Sequence, residues 1–233
     1  MATVCFAALH TPYGGDVARI VDLTLTVSPK LRGVEFEQFH TVAKDGWNSR
    51  KLHLYSHSGT HMDAPLHFGV SDETIDRMPL EDCVGPAWVA DLTHLAPKAL
   101  ISVDDLGPLA KKIAAGDRLL LKTGWSKHIE EPQYYRDNFP RISEELARWL
   151  VDRRLKLLGV EPPSIADVSD LQEVTLIHRI LLGGRIVIVE GLANLMELRE
   201  ERVWFCAAPL KIEGGDGTPC RAFAIEGDPW GPS

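Results

Sequence analysis

Short apolar runs and period-2 alternation recur along this chain, the signature of half-buried and fully buried strands. They predict strands near 19–27, 34–43, 50–57, 85–92, 118–122, 155–160, 185–190, 203–212 and 219–226. Helical spacing is rarer. After Ser102, Leu106, Leu109 and Ile113 fall on one helical face and Gly116 supplies a stop. Ser143 precedes Glu144 and Glu145 and then a Leu146, Trp149, Leu150 stripe; a third helix is expected near 170–181, capped by Ser169 or Asp170. The pattern reads as a β-rich α/β chain in which neither strict β-α-β alternation nor a Gly-rich phosphate loop is visible. No repeat or low-complexity tract divides it. A single domain over 1–233 is therefore expected, with loose ends near 1–15 and in the Gly/Pro-rich tail 227–233.

The 233 residues are 45% hydrophobic and 25% charged, the balance of a soluble globular protein. A chain of this length buries roughly 70 to 75% of its unfolded surface, so it needs neither disulfides nor a structural metal to hold a core. Any metal site is then free to be catalytic. The net charge is −8 and no basic run occurs, which argues against nucleic acid as a partner. Cys5, Cys83, Cys206 and Cys220 are scattered and form no CxxC pair, so a reducing cytoplasm is expected. The first ten residues carry no positive segment of a signal peptide, and no apolar stretch approaches the roughly 20 residues of a membrane span.

The densest chemistry lies in His53-Leu54-Tyr55-Ser56-His57-Ser58-Gly59-Thr60-His61-Met62-Asp63-Ala64-Pro65-Leu66-His67-Phe68, which holds four of the nine histidines. Gly59 and Pro65 disfavour a helix, so the period-2 rule applies, and 57, 61, 63 and 67 share one parity. An extended chain would turn all four to one side, with Gly59 leaving room for an ion between its neighbours. Imidazole and carboxylate without thiolate suit zinc, iron or manganese. His57, His61 and Asp63 are read as ligands. His67, one step further along, is open to three readings, a ligand, a general base or a residue supporting the ligands, and its separation from the cluster favours the base. His53 lies outside the Gly-Thr turn, and the isolated His10, His40, His94 and His128 read as surface or satisfied core residues.

The stretch His57-Ser58-Gly59-Thr60-His61-Met62-Asp63-Ala64-Pro65-Leu66-His67 resembles the HxGTHxDxPxH signature of the cyclase-like metal-dependent hydrolases, the family of bacterial kynurenine formamidase and isatin hydrolase. Later segments resemble that family's motifs in the same order: Leu119–Trp125, Gly159–Ser164, Ile188–Leu192, and Pro209 through Arg221. The resemblance spans about 20 to 225. It implies a swivelling β/β/α-type fold with a small barrel-like sheet, and a homo-oligomer, dimer or tetramer, with its active site near a subunit interface.

For the site, the resemblance implies His57, His61 and Asp63 on one divalent ion, Zn or Mn. Asp63 would bridge to a second ion completed by His178 and Glu190. Metal-bound hydroxide would attack the carbonyl of a small amide or cyclic imide, with His67 as general acid/base. The chain departs from the formamidase pattern at Ser28–Glu35, where that branch carries an aromatic and a WPGD-like segment, and at Glu161, which replaces the first acid of a later motif. An alternative reading takes His61, Asp63 and His178 as the facial triad of a non-haem iron oxygenase.

Overall fold

A computed structural model describes residues 18–227. The predicted loose end at 1–15, with Cys5 and His10, and the tail beyond Gly227 lie outside the described residues. The strands are β1 (Arg19–Asp22), β2 (Val34–His40), β3 (Ser49–Leu54), β4 (His61–Asp63), β5 (Val84–Asp91), β6 (Leu100–Ile101), β7 (Arg118–Lys122), β8 (Arg141–Ile142), β9 (Leu157–Val160), β10 (Val187–Glu190), β11 (Arg202–Pro209) and β12 (Gly217–Glu226). The helices are α1 (Val42–Asp45), α2 (Leu80–Cys83), α3 (Pro132–Asp137), α4 (Glu144–Asp152) and α5 (Leu171–Gly183).

Seven strands close on themselves in the order β12-β11-β5-β7-β9-β10-β4, with β4 pairing back onto β12. This is the expected mixed α/β architecture with a barrel-like sheet. Strand β12 makes closure possible because it serves two neighbours along one edge: Gly217–Pro219 pairs with β4, and Phe223–Glu226 pairs with β1. Strands β5, β7, β9 and β10 are successively parallel, with helical segments between them in the chain. That β-α-β character was not visible in the pattern. Its cause is burial on both faces, which makes strands such as Arg118–Lys122 read as continuous apolar runs rather than alternating ones.

Side-chain parity sorts these runs into two layers. Leu120, Leu157, Val187 and Val189 join Met62, Val89, Phe205 and Ala222 in the core enclosed by the strands. Leu119, Leu121, Leu158 and Ile188 point the other way, onto Leu146 and Leu150 of α4 and Ile177 and Leu181 of α5. The helix caps follow the sequence: Ser143 Oγ accepts from Leu146 N–H at 3.1 Å, and Asp170, rather than Ser169, accepts from Gln172 N–H and Glu173 N–H.

Three expectations are revised. The helix after Ser102 is a 3₁₀ segment, Asp104–Lys111, broken where Gly107 takes φ 51° ahead of Pro108, although Leu106, Leu109 and Ile113 are buried as the spacing implied. The strand expected over 19–27 ends at Asp22, whose carboxylate accepts from Thr24 N–H. The strand expected over 203–212 stops at Pro209, which has no N–H to continue the ladder. Among the described residues no helix is long and apolar enough to cross a membrane.

Candidate metal centre

Register builds the site. In the β4–β10 pair, Ile188 faces Asp63, Val189 faces Met62 and Glu190 faces His61. Met62 and Val189 belong to the inner core, so His61, Asp63 and Glu190 emerge on the opposite face, the one covered by α5. That helix carries His178, 2% exposed, over the same spot.

The run 57–67 is not extended throughout, which corrects the parity argument for its ends. Only His61–Asp63 is strand; His57 lies in a turn, and His67 sits on the 3₁₀ segment Pro65–Phe68. Gly59 does not leave space for an ion. It takes φ +63°, and its carbonyl packs so close to Gly191 that a Cβ at 191 would lie 2.3 Å from it. Thr60 Oγ1 donates to Gly191 O at 2.5 Å and accepts from Leu25 N–H, pinning the turn to the end of β10.

All six singled-out residues nevertheless meet. His61 Nε2 lies 3.2 Å from Glu190 Oε2 and 3.7 Å from Asp63 Oδ1. His178 Nε2 lies 3.2 Å from Glu190 Oε1 and 3.6 Å from Asp63 Oδ2. His57 Nδ1 lies 2.9 Å from Asp63 Oδ1. The His67 ring stacks on that of His57 at 3.7 Å. Two backbone carbonyls fix the rings: His61 Nδ1–H donates to Gly59 O and His178 Nδ1–H to Val174 O, so both Nε2 atoms face the carboxylates, where they donate to Glu190 when protonated and would offer lone pairs to a bound cation. Among the described residues, possible ligand atoms fall into two trios sharing Asp63, namely His57, Asp63 and His67, and His61, Asp63 and Glu190. The resemblance groups His61 with His57; in the folded chain His61 stands with Glu190.

Donors and charge fit a cation. The donor set is entirely imidazole and carboxylate, and Asp63 Oδ2 is buried without a hydrogen-bond partner, a costly state that a cation would relieve. The facial-triad reading leaves Glu190, 3.2 Å from both His61 and His178, without a role.

Burial opposes charging His61 and His178, yet Glu190 and Asp63 outweigh it and raise both. Burial likewise opposes ionising Glu190, but hydrogen bonds and charge from His178 and His61 hold its carboxyl well below the usual range. His57, between Asp63 and Asp216, is raised to about 9 against the pull of burial. Burial, reinforced by the charges of His57 and His178, lowers His67 despite Asp63 and Asp216, leaving it neutral at pH 7.

These shifts give a pH dependence. A histidine raised in the folded state stabilises fully below its unfolded value of 6.5 and loses that contribution as pH rises through about 9. For His57 this amounts to about 3 kcal/mol. His61 and His178 act in the same direction, and Glu190 titrates far below the window. Metal-free protein is therefore expected to melt at a lower temperature at pH 9 than at 6.5. A calorimetric series with chelator checks this, and a flat profile would place the proton elsewhere. Added Zn²⁺ or Mn²⁺ should bind more tightly as pH rises, about tenfold per unit for each proton displaced.

The Cyclase family model matches residues 21–167. The chain belongs to the Cyclase family. Over 177 residues it is 36% identical to the kynurenine formamidase of Salinibacter ruber, a match covering 75% of this chain and 78% of that one. Isatin hydrolase A from Ralstonia solanacearum superposes with a TM-score of 0.80 at 26% identity, covering 89% of this chain and 92% of that one. A predicted metal-dependent hydrolase from Bacillus stearothermophilus superposes at 0.73 with 28% identity, covering 91% and 100%. The expectation of a metal-dependent hydrolase resembling kynurenine formamidase and isatin hydrolase is met by these matches.

In this Cyclase-family chain two neighbours of the site were given no role from sequence, although Asp216 lies in the motif-like segment Pro209 through Arg221 and Phe68 closes the histidine-rich run. Asp216, on the loop before β12, lies 2.9 Å from His57 Nε2 and 3.5 Å from His67 Nδ1. Phe68 stacks on the His178 ring at 4.2 Å. Two residues considered from sequence stand apart. His53 is exposed on β3, 3.6 Å from Glu37. Glu161, fully buried, spends one oxygen accepting from the N–H groups of Thr123, Gly124 and Trp125 and the other from Ser126 Oγ. It anchors the turn after β7.

Proposed function

We propose that the protein hydrolyses a small amide or cyclic imide, with His57, His61, Asp63, His178 and Glu190 holding one or two divalent ions, Zn or Mn, and His67 transferring the proton. The observation that carries this reading is Asp63: a buried carboxylate with one oxygen that accepts no hydrogen bond, ringed by three imidazoles and facing a second acid. A divalent ion bound there supplies a Lewis acid that polarises the substrate carbonyl and lowers the pKa of water.

The protein's own groups do the rest. Neutral His67 takes a proton from the attacking water as the C–O bond forms. It returns that proton to the nitrogen as the C–N bond breaks, so the leaving group departs as a neutral amine. His61 and His178, locked by backbone carbonyls, hold their Nε2 lone pairs in place without reorganisation. The relatives' names support the substrate class, an arylformamide or a cyclic amide such as isatin.

The same reading includes a cytoplasmic homo-oligomer, dimer or tetramer, with no nucleic-acid or membrane partner; the net charge of −8 supports the first exclusion. The experiment is elemental analysis of protein purified without added metal, followed by hydrolysis assays on N-formylkynurenine and isatin. Bound Zn or Mn with turnover of either compound is expected. Protein that neither carries nor takes up a divalent ion would overturn the reading.

A further inference from the structure

We propose that Asp216 is a positioning residue that holds both His57 and His67, coupling a metal ligand to the proton-transfer group through one carboxylate oxygen. This rests on the hydrolase reading and adds a role that the ligand motif does not contain.

Its Oδ2 accepts from His57 Nε2–H at 2.9 Å, the nitrogen opposite the one facing Asp63. The same oxygen lies 3.5 Å from His67 Nδ1. Ser56 also hydrogen-bonds the Asp216 side chain. The loop bearing Asp216 is tied to the site, since Asp216 O accepts from Ala64 N–H at 2.9 Å, one residue beyond Asp63. The next residue completes the arrangement. Gly217 lies opposite Asp63 in the β12–β4 register, and a Cβ there would come within 2.6 Å of His57 Cε1. The His57 ring thus occupies the place of a side chain at 217, with the His67 ring stacked on it at 3.7 Å and 25°.

An imidazole whose second N–H is held by a carboxylate is fixed in tautomer and orientation and made a better ligand. His57 has that partner in Asp216, where His61 and His178 have backbone carbonyls. For His67, the Asp216 charge 3.5 Å from Nδ1 favours the tautomer protonated there and leaves Nε2 as the basic atom. Asp216 can serve both rings because it sits at the rim, its side chain 43% exposed beside a His57 that is 8% exposed, so the carboxylate keeps part of its hydration.

The test uses Asp216→Asn, nearly isosteric, and Asp216→Ala. Chelated proteins are titrated with Co²⁺, and ¹⁵N spectra of the histidines are recorded for the Zn²⁺-loaded forms. In both variants Co²⁺ affinity is expected to fall about 10- to 100-fold. The parent should show His57 protonated at Nε2 and His67 at Nδ1, and the variants a mixture of His67 tautomers. Affinity within twofold of the parent, or an unchanged His67 tautomer, overturns the coupling; a loss of affinity with His67 unmoved would mean that Asp216 serves His57 alone. A parent that binds no Co²⁺ overturns the hydrolase reading instead, and the His67 tautomer in metal-free protein then decides the positioning role.

Discussion

Asp63→Ala is expected to remove bound cation and hydrolysis together, a loss of roughly 10⁴-fold or more in rate, because several kcal/mol of charge stabilisation depart with the ion. Both trios of possible ligand atoms contain Asp63, so no pair of ions could survive its loss. It also lies 2.9 Å from His57 and within 3.7 Å of His61 and His178. Without it, three imidazoles would crowd a pocket whose one remaining fully buried acid is Glu190, and cation binding would have to overcome repulsion rather than be driven by attraction. Elemental analysis and a rate measurement on the same sample check this. Full metal content in Asp63→Ala would remove the bridging role.

His67→Ala should do the opposite to the two readouts: most of the metal stays, and the rate falls roughly 10² to 10⁴, the usual worth of a positioned acid–base group. The separation is expected from its place in the chain. His67 projects from the 3₁₀ segment after β4, so truncating it leaves the β4–β10 and β4–β12 registers intact. Its lowered pKa makes it a proton acceptor at neutral pH, and a side chain 25% exposed can exchange that proton with water. The competing outcome is specific. Because His67 forms a trio with His57 and Asp63, metal loss as deep as that of His61→Ala would make it a ligand instead.

Much of this protein was legible along the chain because the relevant interactions are local. Strand β7, the Ser143 and Asp170 caps and the buried faces of α4 and α5 follow from residue spacing and from side chains that bond within four positions. His61 and Asp63 share a face for the same reason: they are two residues apart on a strand. The parity argument reached too far at His57 and His67, where a left-handed glycine and a proline bend the backbone. Those side chains return to the pocket by turning, not by alternation.

The rest was decided by closure of the sheet. Glu190 comes opposite His61 because β10 and β4 pair in one register, and that register is set by burying Met62 and Val189 together on the inner face. His178 reaches the same spot because α5 packs its apolar face over the outer side of those strands. Asp216 arrives because β12 pairs with β4 at Gly217. None of these approaches leaves a mark in the local pattern, since each is enforced by residues far from the one it places. The family resemblance pointed to His178 and Glu190, but spacing could not, and Asp216 had no stated role until the carboxylate was seen beside His57. The sequence by itself determined the local elements and the chemistry of the motif. The tertiary structure decided which distant acids and imidazoles that motif would meet, because long-range strand pairing is chosen by the burial of whole faces and not by any single residue.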